Sequence, residues 1–461
     1  MTIGSSAQAT DARDLLAVCE RVAASARAGE QIEAYAVRTR ETDIEVFDAH
    51  VESLSIAGID GVGVRVIQDG RQGFAWAGSL DETVVRDTVA DARDNAEFAE
   101  PDEWNGMATP NDVASAPRPE MELWRDELLA VDTDRKVEFV LSLDATLRDA
   151  DPRLRSVESA SYGDGAIESA LANSNGVSAT VRRTICSASA SALAGAGDAT
   201  QSGYGFSVGR AFDELDLDAI VAMAVERTVR LLGAAPVSSR RVAVVLDPLV
   251  TSSLLGVLSA AFNAESMLKG RSLFQDRLGE VVAAPSVQLT DDPTDPRMMG
   301  ASPHDAEGVP CRANRLVVDG VLQGFLHNTY TARRASTTTT GSASRGGYKS
   351  TPGVGIKALS FAPGTKTPNE ILAAAGDAFY VQSVSGLHSG TNPISGDFSV
   401  GASGLMVRDG EFAEPVREVT VASTLPRMLT DIVEVGADLT LLPGSTAGLT
   451  LLIGEMTLSG T

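Results

Sequence analysis

Residues 61–78 read GVGVRVIQDGRQGFAWAG, and their pattern sets the fold class. Val62, Val64 and Val66 alternate with Gly61, Gly63 and Arg65, the period of a strand that buries one face. Asp69-Gly70 then provides a tight turn, and Phe74 and Trp76 lie on the return strand. Working outward, residues 32–37 and 44–54 are further strands, so the whole stretch is an antiparallel meander. A helix precedes it, because Leu15, Leu16, Cys19, Val22 and Ala23 recur at helical spacing within 12–28 and Gly29 stops them. Another follows it to about Phe98, introduced by Ser79 and Glu82 at the spacing of a capping box.

The same order of elements recurs further on, without a residue-level repeat. A helix at 133–150 is followed by strands at 154–161 and 166–172, an Asn175-Gly176 turn, strands at 177–190 and 204–208, and a helix at 217–232. Between the two units, Pro101, Pro110, Pro117 and Pro119 fall in a stretch from about 100 to 120 with no hydrophobic period, which reads as a linker. From Arg241 the chain changes character: a strand at 242–246, a helix at 248–262, then short strands with Asp319-Gly320 and Asp409-Gly410 turns, interrupted by helices at 368–375 and 425–435. The expectation is an α+β protein with an N-terminal unit (1–105), a linker (106–122), a central unit (123–236) and a strand-dominated C-terminal domain (237–461). A length of 461 residues agrees with two or three domains.

Composition excludes several functions. With 62 acidic against 38 basic residues the net charge is −24, the wrong sign for a general nucleic-acid binder. No apolar run approaches a membrane span, and the first ten residues lack the basic and apolar regions of a signal peptide, so a cytoplasmic, soluble chain is expected. Cys19, Cys186 and Cys311 lie far apart and read as buried free thiols. There is no G-x-S-x-G elbow and no phosphate-binding G-x-x-x-x-G-K-[ST] loop. The histidines are His50, His304, His327 and His388, none within helical reach of another, so no H-E-x-x-H or H-x-x-x-H zinc pair exists. His50 in a strand and His304 beside Asp305 in a polar loop read as ordinary polar partners.

One region inverts the charge. From Gly320 to Asn369 there is no acidic residue, while Arg333, Arg334, Arg345, Lys349, Lys357 and Lys366 are all basic. Within it, residues 336–350 (STTTTGSASRGGYKS) are too polar and glycine-rich to read as packed; the segment is either a mobile surface loop or a ligand loop. On the second reading Arg333, Arg334, Arg345 and Lys349, with the flanking His327 and His388, are candidate peptide-binding residues. Their hydroxyl and cationic donors suit a carboxylate or the carbonyls of an extended chain.

Three ordered stretches resemble the TldD/PmbA family, also called modulator of DNA gyrase. They are residues 291–335 (DDPTDPRMMGASPHDAEGVPCRANRLVVDGVLQGFLHNTYTARRA), residues 392–422 with their G-D-F-S core, and the 61–78 hairpin. The resemblance implies a metallopeptidase system in which TldD and TldE (PmbA) subunits form a heterodimer and trim flexible peptides. In that system the TldD subunit holds zinc through H-E-x-x-x-H on a helix and a later cysteine. Here the matching helix is at 254–262, where Gly256, Val257 and Ala261 stand in place of those residues, and no cysteine follows Cys311. The resemblance therefore implies the PmbA/TldE-like partner, inactive alone, with no catalytic residue or metal of its own and zinc in an H-E-x-x-x-H partner. Two alternatives stay open: an autonomous binding or gyrase-regulating protein, and a peptidase with a divergent metal site built from His327, His388 and Glu265.

Overall fold

The computed structural model describes residues 12–461; the first ten residues, on which the signal-peptide reading rests, lie outside the described residues. The first unit is α1 (Ala12–Ala24), β1 (Glu30–Phe47), β2 (His50–Gln68), β3 (Arg71–Ala77) and α2 (Glu82–Glu97). The meander is present, but its divisions differ from the sequence reading. β1 runs unbroken through 38–43, and the chain reverses at Asp48-Ala49, both at positive φ. That hairpin was missed because the pair lacks the glycine that normally marks such a turn. The Ser79–Glu82 capping box does not form; Asp81 is the N-cap and donates its N–H to the Ser79 hydroxyl.

The second unit repeats the order as α3 (Thr133–Asp149), β4 (Leu154–Asn173), β5 (Ser178–Ala194), β6 (Gln201–Gly209) and α4 (Leu217–Val229). Both units contribute to one antiparallel sheet of order β3-β2-β1-β4-β5-β6, joined where β1 pairs β4 from Glu33↔Asn173 to Val46↔Ala160. Alternation gives this sheet two faces. Ile32, Ala34, Ala36, Val62, Val64 and Val66 bury against α1 and α2, and Ile44, Val46, Tyr162 and Ala190 against α3 and α4. The residues between them point to the C-terminal domain. Residues 106–122 are docked rather than a free spacer: Met107 and Ala108 are buried, and Asn173 Nδ2 donates to the Ala108 carbonyl at 3.0 Å.

The C-terminal domain comprises β7 (Arg240–Leu246), α5 (Pro248–Leu258), α6 (Thr329–Arg334), α7 (Pro368–Ala375), β8 (Ala378–Ser385), β9 (Asp397–Arg408), β10 (Glu411–Thr424), β11 (Ile432–Val435) and β12 (Leu451–Ser459), with shorter strands between. The strand order β10-β9-β8-β7-β12 closes on itself through a β10–β12 pairing, so the sheet is a barrel with β11 added outside β12. Val244, Leu246, Phe379, Val381, Met406 and Ile453 belong to its main core. Val245, Tyr380, Leu405 and Val407 form a second cluster with Ile371 and Leu372 of α7. Both Asp-Gly turns carry positive φ at each residue. The helix read at 425–435 is in fact Leu425–Thr430 followed by β11. No helix among the described residues is long and apolar enough to cross a membrane.

Candidate functional site

Strand alternation decides which side chains of the first sheet meet the C-terminal domain. Glu33 lies opposite Arg65 and Tyr35 opposite Gly63, on the face away from α1 and α2. The glycines of G-V-G-V are required by what covers them. A Cβ on Gly61 would stand 2.4 Å from the Tyr348 ring, and one on Gly63 would stand 2.2 Å from the Tyr348 carbonyl oxygen. The 336–350 segment is therefore packed, contrary to its polar composition: Thr339, Ser342, Ala343 and Tyr348 are all buried. Its hydroxyls satisfy local backbone, as where Thr340 Oγ1 accepts the His327 N–H at 2.7 Å.

The basic residues read as peptide binders divide sharply. Arg345 pairs with Glu33 and donates from Nε to the Ala306 carbonyl at 3.0 Å, with its guanidinium 4.9 Å from the centre of the Tyr35 ring. Arg65 joins the same carboxylate at 3.2 Å and reaches Glu307 at 3.7 Å. Burial pushes the Glu33 carboxyl upward, but Arg345 and Arg65 outweigh it and hold the group below the usual range. Arg333 donates to the Trp104 and Met107 carbonyls at 3.0 and 2.9 Å, clamping the 100–108 stretch onto α6. Lys349 sits 4.8 Å over the Trp76 ring, and Arg334 is exposed beside the Tyr330 hydroxyl. His327 is buried with Nδ1 unpartnered, and His388 is exposed on a separate turn. Of the six, Arg333, Arg345 and His327 are turned inward, whereas Arg334, Lys349 and His388 are exposed.

Gly63→Val is expected to expel Tyr348, because the obstacle is backbone and cannot rotate away. Such overpacking costs about 1–3 kcal/mol, and limited trypsin digestion should then cut after Arg345 and Lys349 far faster than in the native chain. An unchanged digestion pattern would mean the segment is held elsewhere.

Beside this contact lies a cavity of about 330 Å³ between the sheet and the C-terminal domain. The sheet supplies Tyr35, Ile167, Val181, Arg183 and Ile185, and the other wall includes Met299, His304, Asp305, Ile356 and Lys357. Val181, Arg183 and Ile185 share one face of β5 by alternation. His304 is only 6% exposed; its Nδ1 lies 2.8 Å from the Asp305 carbonyl and its Nε2 has no partner. A carbonyl only accepts, so Nδ1 carries the proton. Burial lowers the His304 pKa, the charges of Arg118 and Lys357 add to the effect, and the Asp305 and Thr180 backbone only partly opposes it, which favours the neutral ring. Asp305 accepts the backbone N–H groups of Glu307 and Val309 on Oδ1 and of Ala343 on Oδ2, at 2.9–3.0 Å. The polar loop expected around His304 is thus an interior wall.

The zinc position implied by the resemblance falls on α5 and the turn after it. Gly256 faces open space, Val257 is half-buried, and Ala261 is buried. None can ligate a metal, so these residues do not fit a zinc ion. Nor are the residues of the divergent-site alternative brought together. Glu265 pairs with Lys269 at 2.5 Å, and among the described residues no three His, Cys, Asp or Glu side chains gather as a metal cage. Cys19, Cys186 and Cys311 are buried free thiols whose pKa values burial pushes up to about 12.

Family models match in order: PmbA/TldA metallopeptidase domain 1 over residues 32–96, the central domain over 126–232, and the C-terminal domain over 239–460. The chain belongs to the PmbA/TldD family. Its relatives include the Metalloprotease PmbA homolog of Haemophilus influenzae, 26% identical over 96% of this chain and 95% of that one. Metalloprotease PmbA of Escherichia coli O157:H7 is 26% identical over 89% and 88%. The same fold occurs in TldE from Thermococcus kodakarensis, at TM-score 0.86 and 22% identity over 98% of this chain and all of that one. That chain thus shares this fold, and in the present protein the cavity lies between the barrel and the sheet.

Sequence reasoning passed over Arg183 and Lys357 as members of the cavity and set His304 aside. One signal was available: Arg183 stands between Val181 and Ile185 on the same strand face, and a cation flanked by two apolar side chains needs a reason.

Proposed function

We propose that this chain is the partner subunit of a TldD/TldE-type metallopeptidase, lacking a zinc centre and pairing with an H-E-x-x-x-H chain to hold flexible peptides for cleavage in the cytoplasm. The observation that carries the reading is α5 and its following turn, where Gly256, Val257 and Ala261 occupy the positions the resemblance gives to the zinc motif. Metallopeptidase hydrolysis needs a Lewis acid and a general base, and these side chains supply neither. Similarity to a Metalloprotease TldD homolog of Haemophilus influenzae, 25% identical over 78% of this chain, supports a partner of that kind.

The edge of the first sheet supports the pairing. β3 pairs only with residues 62–68 of β2, so among the described residues nothing covers the outer edge of 50–60. Val51, Leu54, Ile56 and Ile59 are exposed there, Ile56 at 64%. The corresponding stretch of β5 is covered by the chain itself, where Thr184 donates its N–H to the Leu123 carbonyl at 2.9 Å. A long apolar edge is a pairing template. Cleavage of an unstructured peptide is expected only after mixing with an H-E-x-x-x-H family member, and it should vanish with a chelator. Elemental analysis of this chain alone should find zinc far below one ion per chain, and Ile56→Lys should block co-elution of the two subunits. Chelator-sensitive cleavage by this chain alone would overturn the reading.

A further inference from the structure

We infer that the cavity between the first sheet and the C-terminal domain is a binding site for an N-acylated α-amino acid carboxylate with an apolar side chain, the chemistry found at the C-terminal end of a peptide. All the lining residues named below come from this chain, and reading the ligand as a peptide end rests on the proposed function.

The argument rests on what the cavity offers and leaves unused. Arg183, half-buried, lines the cavity yet makes no ion pair or side-chain hydrogen bond among the described residues. Lys357 uses one of its ammonium hydrogens on the Ala343 carbonyl at 2.8 Å and has two others. The carboxylate on the wall, Asp305, accepts three backbone N–H groups and forms no ion pair within 4 Å with either cation. The remaining charged lining residue, Arg345, is neutralised by Glu33. Arg183 therefore stands without a matched anion, and Lys357, whose charge acts on Asp305 and Asp291, keeps two ammonium hydrogens for a further acceptor, in a molecule whose net charge is −24. An anion in that space gains charge-assisted hydrogen bonds at reduced solvent screening.

His304 adds the second requirement. Its neutral ring presents Nε2 as a buried acceptor with no donor, and such an atom costs free energy until a donor arrives. A simple anion such as phosphate or acetate has no N–H to give. A ligand with a carboxylate and an amide N–H on the same carbon satisfies both the cations and the acceptor. The walls choose its side chain: Ile167, Val181, Ile185, Met299 and Ile356 are apolar. At about 330 Å³ the space lies at the small end of ligand sites, enough for one or two residues rather than a long peptide.

The test is calorimetric titration of the full chain with N-acetyl-leucine, N-acetyl-leucinamide and 4-methylpentanoate. N-acetyl-leucine is expected to bind. The amide, lacking the carboxylate, and the pentanoate, lacking the N–H, should each bind about tenfold or more weakly. Arg183→Ala should weaken N-acetyl-leucine by a similar factor while leaving the unfolding curve unchanged. His304→Phe, which keeps the ring and removes the acceptor, should abolish the preference of N-acetyl-leucine over 4-methylpentanoate. N-acetyl-Ala-Ala-Leu separates the sources: equal or tighter binding identifies a peptide end, and exclusion identifies a free N-acyl amino acid. No binding of N-acetyl-leucine at millimolar concentration, or equal binding of acid and amide, would overturn the assignment.

Discussion

Glu33→Ala is expected to lower the free energy of unfolding by about 3–5 kcal/mol, the cost of leaving buried charge without its counter-charge. The Glu33 carboxylate is fully buried and shared by the guanidinium groups of Arg65 and Arg345, whose side chains are 5% and 2% exposed. Removing it leaves Glu307, already 3.7 Å from Arg65 and bonded to Thr329, as the nearest anion. The loss should be read from the denaturant midpoint by circular dichroism, with release of the 345–350 segment to trypsin as a local signature. The carboxyl also dictates a pH dependence. Its folded pKa is depressed, so the stabilisation is complete above the unfolded glutamate value of about 4.3 and is lost as pH falls through the lower folded value. Native stability should therefore decline below about pH 5 more steeply than that of Glu33→Ala. Parallel pH profiles would remove Glu33 from the account.

Asp247→Ala should produce the second large effect, at the other junction between the sheet units and the barrel. Asp247 Oδ1 accepts the Leu249 N–H at 2.9 Å and caps α5. Its Oδ2 accepts from Arg227 of α4 and from the Tyr380 hydroxyl, each at 2.6 Å. Arg227 reaches on to the Gln382 carbonyl at 2.8 Å, and Gln382 Nε2 returns a bond to the Arg227 carbonyl. Alanine removes a cap worth about 1 kcal/mol and strands a buried guanidinium for about 3–5 kcal/mol more. Because the network ties α4 to the barrel, chemical denaturation should separate into two transitions, the sheet units and the barrel unfolding apart. Asp247→Asn keeps the cap acceptor and should recover part of the loss. A single unshifted transition would show that the two halves are coupled elsewhere.

The site was less legible than the fold because its residues answer to different rules. Val62, Val64 and Val66 announce a strand by local alternation, and Asp319-Gly320 announces a turn by its own conformational tolerance. Arg345 announces only a charge. Whether that charge meets solvent, peptide or Glu33, 312 positions earlier, depends on a contact between domains. The same limit made the 336–350 segment look loose. Its hydroxyls and glycines do not build a core by themselves, but they fit a surface whose glycines were cleared for Tyr348. The Asp48-Ala49 reversal failed for the opposite reason, since β1 and β2 are held in register along their length and can impose positive φ on residues that do not favour it.

By itself, the sequence determined the α+β class, the recurring helix–strand–helix order, the family resemblance and the absence of an H-E-x-x-x-H motif, because each is written in residue types or short periods. Only the tertiary structure decided that the two N-terminal units share one sheet, that the C-terminal strands close into a barrel, and that Arg183, His304 and Lys357 line one cavity. The physical reason is that alternation tells a side chain which face to occupy, whereas what stands opposite that face is set by packing across hundreds of residues.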